Sequence, residues 1–156
     1  MKEGYFDKNY FIIGEKITDR LTEAFKDFDN PRVKVIPWAD SSPEKSAKQF
    51  APALIVAYMG DGVRSDSPGG VVHDKTRQLI EQKWLVGGIF KDAASQLQGT
   101  ASRSTAGPVI PKMLRALMGY EIIPGVTLKR IYPSAPAHFE NSYLLLSYAF
   151  SATIPF

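Results

Sequence analysis

The feature that most limits the fold is the run that closes the chain. Between 142 and 154, Leu144, Leu146, Tyr148, Phe150, Ala152 and Ile154 alternate with Leu145, Ser147, Ala149, Ser151 and Thr153. A period of two over this length belongs to an extended strand, whose successive side chains point to opposite faces. Wound as a helix, the same residues would scatter the large apolar groups around the axis. A strand this long needs partners, and the chain supplies them. Thr76 to Phe90 also alternates, with Ile80, Trp84, Val86 and Phe90 on one face and Arg77, Glu81 and Lys83 on the other. Gly87-Gly88 is expected to mark a bulge or bend within it. Ala53 to Met59 is almost wholly apolar and β-branched in its middle, which suits a strand covered on both faces or central in a sheet. Shorter strands are expected at Val33–Ile36, closed by Pro37, and at roughly 126 to 132.

Two segments show the helical period instead. From Tyr10 to Phe28, the residues Ile13, Ile17, Leu21, Ala24, Phe25 and Phe28 share one face, and charged residues of both signs occupy the other. Asp29-Asn30-Pro31 ends that helix. From Thr105 to Met118, the apolar stripe is Ala106, Ile110, Met113, Leu114 and Leu117, with Pro108 and Pro111 near its start and Gly119 suited to the C′ position. Ser41-Ser42-Pro43-Glu44 reads as the start of a short third helix running to Phe50. The expected order is α-β-(short α)-β-β-α-β-β, without internal repeats. It predicts a single α+β domain over residues 1–156: one mainly antiparallel sheet, two long helices packed on one face, and extended polar loops. Those loops are about 60 to 75 and 92 to 104. Unstructured connections of that length are uncommon unless they carry function or are disordered.

Composition removes most chemistry. The 156 residues are 44% hydrophobic, enough to build a core that excludes wholesale disorder. There is no cysteine, hence no disulfide, thiolate metal site or cysteine nucleophile. The two histidines, His73 and His138, lie far apart in different surroundings. No apolar run approaches the roughly 18 residues of a membrane span, and the first residues do not read as a secretory signal. The chain is therefore expected to stay in the compartment where it is made.

The candidate constellations are weak in physical terms. Gly60-Asp61-Gly62, followed by Arg64 and Ser65, lacks the third glycine and following helix of a dinucleotide loop, and the Walker-type lysine. His73 and Asp74 are adjacent, so in an extended chain they point apart. Asp61, Asp66 and Asp74 lack the ligand spacing of a calcium loop. His138 falls in a proline-rich stretch and reads as solvated. No acid–base pair, nucleophile or metal cluster emerges, so the expectation is a protein that is not an enzyme and uses no cofactor.

The net charge of +3 arises in the last 56 residues, where five basic side chains face Glu121 and Glu140; residues 1–50 balance nine against nine and 51–100 five against five. A nucleic-acid reader shows a denser basic stripe.

Four stretches carry a resemblance. They are Ile17-Thr18-Asp19-Arg20-Leu21 in the opening helix and the apolar strand running into Tyr58-Met59-Gly60-Asp61. The third is Arg77 to Val86, followed by a polar loop and the helix from Ala106-Gly107-Pro108 to Gly119-Tyr120, and the fourth is the closing strand pair ending in Tyr148-Ala149-Phe150-Ser151-Ala152. In layout and texture, over most of its length, the chain resembles the tail terminator proteins of long-tailed bacteriophages, in particular those of Mu-like phages and prophages. The resemblance implies a virion protein, assembled in the host cytoplasm, that forms a six-membered ring with copies of itself on the head-proximal end of the tail tube. Such a ring stops tube polymerisation and offers a surface to the head–tail connector. DNA passes through its lumen without being read. The family has no short residue motif to transfer. From the residues themselves, Arg64, Lys75, Arg77, Lys91 and Arg103, in or beside the two polar loops, are the charged candidates for assembly contacts. The glycine-rich loop 61–75 and the stiff Pro124-Gly125 turn leave the head-facing surface undefined. Two other readings remain open: another neck, connector or tail-completion component, and a small nucleic-acid-binding module.

Overall fold

In the computed structural model, residues 5–29, 32–37, 48–64, 79–91, 100–131, 136–140 and 142–155 are described, without the side chains at 5, 64 and 100–103. Three long strands dominate: β2 (Ala53–Arg64), β3 (Leu79–Lys91) and β8 (Tyr143–Pro155). β3 lies between the other two and pairs antiparallel with both, in registers running from Ala53↔Ile89 to Arg64↔Leu79 and from Leu79↔Pro155 to Lys91↔Tyr143. The short strand β1 (Lys34–Ile36) adds to β2 in parallel. β6 (Lys129–Ile131) and β7 (His138–Glu140) both add antiparallel to β8. The six-stranded sheet is therefore mainly antiparallel, as the alternation predicts. β4 (Glu121–Ile123) and β5 (Val126–Thr127) form a separate hairpin turned at Pro124-Gly125, where Gly125 has a φ of 83°. Only glycine takes that conformation without strain.

Three helices lie wholly within the described residues: the single turn α1 (Tyr5–Lys8), α2 (Ile12–Phe25) and α3 (Thr100–Leu117). Ile13, Ile17, Leu21 and Phe25 of α2 and Ala106, Val109, Met113 and Leu117 of α3 meet Leu54, Val56, Trp84, Val86, Phe90, Leu144, Phe150, Ala152 and Ile154 of the sheet in one core. Trp84 is wholly buried in it. A Cβ placed on Gly14 would lie 2.3 Å from the Trp84 ring, so α2 approaches the sheet closely enough that its glycine is a packing requirement. A smaller cluster joins Ile36, Ala53, Ile55 and Ile89, with Tyr143 and Leu145 packed against it.

The structure departs from the expectations in five places. Residues 60–64, read as the start of a loop, extend β2 to Arg64. The register shifts between Tyr58 and Gly60, so the bulge lies there; Gly87 and Gly88 pair without interruption with Ile55 and Leu54. Gly60 supplies the bulge with a φ of 110°, and the absence of a side chain at Gly88 leaves room for the Phe90 ring, which would lie 2.7 Å from a Cβ. Residues 100–104, read as loop, begin α3, which continues through Pro108 and Pro111. Each proline removes one helical hydrogen bond, yet Val109, Met113 and Leu117 are fully buried, and tertiary packing outweighs the local loss. The strand expected at 126–132 is broken at Leu128, which is itself buried and donates its N–H to the Tyr120 carbonyl at 2.9 Å. The α2 boundaries are also tighter than the apolar period implied. The short helix expected from Ser41 lies mostly outside the described residues.

Candidate functional site

A register shift of one residue turns over every side chain beyond it. Before the bulge in β2, Leu54, Val56 and Tyr58 face the core with Trp84 and Val86. Beyond it, the odd-numbered Asp61 stands opposite Gln82, on the face that Tyr58 and Trp84 occupy. The bulge thereby keeps Asp61 within reach of the segment leading into α2. Tyr58 Oη donates a hydrogen bond to Asp61 Oδ2 at 2.8 Å, and Tyr10 Oη donates to the same oxygen. Gln82 is fully buried and satisfied from both ends. Its amide nitrogen donates to the Tyr10 carbonyl at 2.8 Å, and its amide oxygen accepts from Trp84 Nε1 at 3.1 Å. Aromatic contacts close the cluster, with Phe11 edge-on to Tyr58 at 5.2 Å and Tyr58 tilted over Trp84 at 5.0 Å between centroids.

The electrostatics follow from those bonds. The hydroxyl of Tyr10, then that of Tyr58, hold the Asp61 carboxyl below the usual carboxylate range. Burial first, and the hydrogen bond to Asp61 second, push both phenols above the ordinary tyrosine value. Around neutral pH the group is one carboxylate receiving two neutral phenol protons. Such a carboxylate is a weaker base than a free aspartate, which suits it to holding chain segments together rather than to moving protons. Sequence reasoning treated Asp61 as part of a loop and missed this cluster. One signal was present: Gln82 is a polar residue in the middle of the apolar face that Ile80, Trp84 and Val86 define, and a polar group there requires hydrogen-bond partners.

Two of the predicted assembly residues stand at opposite ends of the sheet. Arg64 closes β2, opposite Leu79. Lys91 closes β3 at the other end, opposite Tyr143, and is exposed. The 13 residues of β3 between these ends span about 40 Å at the usual strand rise. Arg103 is the fourth residue of α3. Lys75 and Arg77 lie outside the described residues, as do His73, Asp66 and Asp74. Arg64 and Lys91 are therefore not brought together; each marks the place where a polar segment leaves the sheet.

At the Lys91 end, Tyr143 Oη donates to the Lys48 carbonyl at 3.3 Å, and Glu140 stands 3.9 Å from both Lys48 Nζ and His138 Nε2. His138, expected in a turn, is an exposed residue of β7. At the Arg64 end, Met59 and Val63 are 53% and 63% exposed, large fractions for apolar side chains on a strand. Among the described residues, no group of three or more His, Cys, Asp or Glu is placed to hold a metal, and no helix is long and apolar enough to cross a membrane.

No curated protein is significantly similar to the chain. The family model described as "Phage tail terminator protein" matches it over residues 2–156.

Proposed function

The chain belongs to the phage tail terminator family, a family of structural tail proteins, and from that premise we propose that it caps the head-proximal end of a tail tube, as in Mu-like phages. In this reading copies of the chain join as a closed ring, six in number. The ring stops tube polymerisation and presents the joining surface for the head–tail connector. DNA passes through its lumen unread, in keeping with a charge excess of only +3, confined to the last 56 residues. Assembly takes place in the host cytoplasm, and the product is part of the virion.

The observation that supports a cap is the separation of the strand ends to which the two polar segments are joined. A subunit that meets a tube on one side and a connector on the other needs contact surfaces at opposite ends. Residues 65–78 and 92–99 leave the long strands about 40 Å apart, by the strand rise. Arg64, Lys75 and Arg77 belong to the first segment and its edges, and Lys91 and Arg103 to the second. The two long helices, taken to cover one face of the sheet, would form the rigid body between these surfaces.

Deleting the gene from its source phage or prophage, inducing lysis and measuring tails by negative-stain electron microscopy tests the proposal. Overlong, headless tubes beside full heads are the expected result. Tails of normal length joined to heads would overturn it. Normal-length tails left unattached would also overturn it, in favour of a neighbouring neck component.

A further inference from the structure

We propose that the groove between α2 and α3 is a docking site for an acidic, partly apolar segment of a partner protein. The groove is formed by Arg20 of α2, by Phe28 just beyond it, and by Pro108, Pro111, Lys112 and Arg115 of α3, and encloses about 570 Å³. That volume falls in the range of sites that take several side chains. Every ionisable residue lining it is a cation.

Two of these cations are held in place from within the fold. Arg20 donates its Nε–H to the Ala116 carbonyl at 3.1 Å, and its guanidinium lies 4.1 Å over the Tyr120 ring. The Lys112 ammonium lies 5.6 Å from the Phe28 centroid and 6.0 Å from that of Phe25. Rings satisfy a cation only in part. Among the described residues, no carboxylate comes within salt-bridge distance of Arg20, Lys112 or Arg115. Three positive charges, two of them positioned and none within salt-bridge distance of a carboxylate among the described residues, define a site whose complement is anionic.

The rest of the lining decides which anion. Phe28 and the rigid Pro108 and Pro111 are apolar, and they ask for carbon on the ligand. On the other side of Arg20, the adjoining cavity carries Asp19 and Glu23 beside Lys16 and Tyr120. A nucleic-acid backbone running through the groove would carry its next phosphates onto these carboxylates. A peptide can set apolar residues against Phe28, Pro108 and Pro111 and end its acidic residues at the cations, whereas a nucleic-acid backbone carries a charge at every step. Nothing in this inference depends on ring formation or tube capping.

The test is fluorescence anisotropy with the full chain and three labelled probes: a short peptide alternating glutamate and leucine, its glutamine-for-glutamate counterpart, and a short DNA duplex. The glutamate peptide is expected to bind, and its affinity to fall roughly tenfold or more in the Lys112→Glu, Arg115→Glu double variant. The charge-neutral Lys112→Gln, Arg115→Gln pair should show a smaller loss in the same direction, with an unchanged thermal melt. Lys129→Glu, Arg130→Glu, on β6, should leave binding intact. Equal affinity for the groove variants and the wild type would overturn the proposal, as would equal loss in the β6 variant. Duplex binding that the groove substitutions abolish, without peptide binding, would overturn it in favour of a phosphate ligand.

Discussion

The two halves of β2 are made of one continuous strand and are held in different ways. From Ala53 to Tyr58 the strand has β3 on one side and, as far as Ile55, β1 on the other; Ala53, Leu54 and Val56 are fully buried. From Gly60 to Arg64 it pairs with β3 alone among the described strands, and Asp61, Gly62 and Val63 are exposed. The first half is stabilised by apolar area withdrawn from water, on the order of 2 kcal/mol for each large side chain. The second half buries little, and its tie to the body is the cluster of Tyr10, Tyr58, Asp61 and Gln82. A sheet can therefore extend past its core when polar bonds replace packing. The extension is the less stable part, and it ends at one of the two proposed contact surfaces.

That contrast can be broken from the packed side with the largest effects. Trp84→Ala should cost about 3–5 kcal/mol, seen as a lower midpoint in urea unfolding, because the ring fills the core between α2 and the sheet. If it cost less than about 1 kcal/mol, the core would not be the main support of the body. Gly14→Ala should cost about 1–3 kcal/mol, since its Cβ would lie 2.3 Å from that ring, whereas an exposed helical glycine replaced by alanine is stabilising. Combining the two substitutions should recover part of the alanine penalty, because the smaller residue at 84 removes the clash.

The polar side should respond more weakly. Gln82→Leu removes the acceptor of Trp84 Nε1 and the donor to the Tyr10 carbonyl, and it should cost about 1–3 kcal/mol. Its local effect should exceed its global one. Amide exchange should quicken at Tyr10–Ile12 and Gly60–Arg64 and stay unchanged at Leu54–Val56. Asp61→Asn should give the smallest change, and its mark is pH dependence. The folded carboxyl titrates below the ordinary value of 3.8, so its contribution is present above that pH and is lost as pH falls through the folded value. The difference in melting temperature between wild type and variant should therefore shrink on acidification below about 3.8. A difference that stayed constant across that range would separate Asp61 from the clamp.

Much of this architecture can be read from the residues because it rests on period. Leu144 to Ile154, Ile80 to Phe90 and Ile13 to Phe25 each repeat at the spacing of one regular element, and each forms it in the structure. Where the reading failed, local composition and tertiary context disagreed. Gly60-Asp61-Gly62 has the composition of a turn, but pairing with Gln82 and Glu81 makes it strand. Pro108 and Pro111 break helices in isolation, but burial of Val109 and Met113 holds α3 through them. Of the candidate site, the residues at the sheet ends came from loop position alone. The polar cluster and the cationic groove join residues far apart in sequence, and no spacing rule reaches across them.

By itself, the sequence determines a mainly antiparallel sheet with two amphipathic helices, without the parts for thiol chemistry, and a likeness to tail terminators that the family match bears out. Only the tertiary structure decides that Asp61 is a clamp rather than a loop carboxylate, that the polar segments leave opposite ends of β3, and that Arg20 meets Lys112 and Arg115. The reason is range. Period is a local property that each segment carries, whereas the partners of a charge or a buried amide are set by which segments the packing brings together.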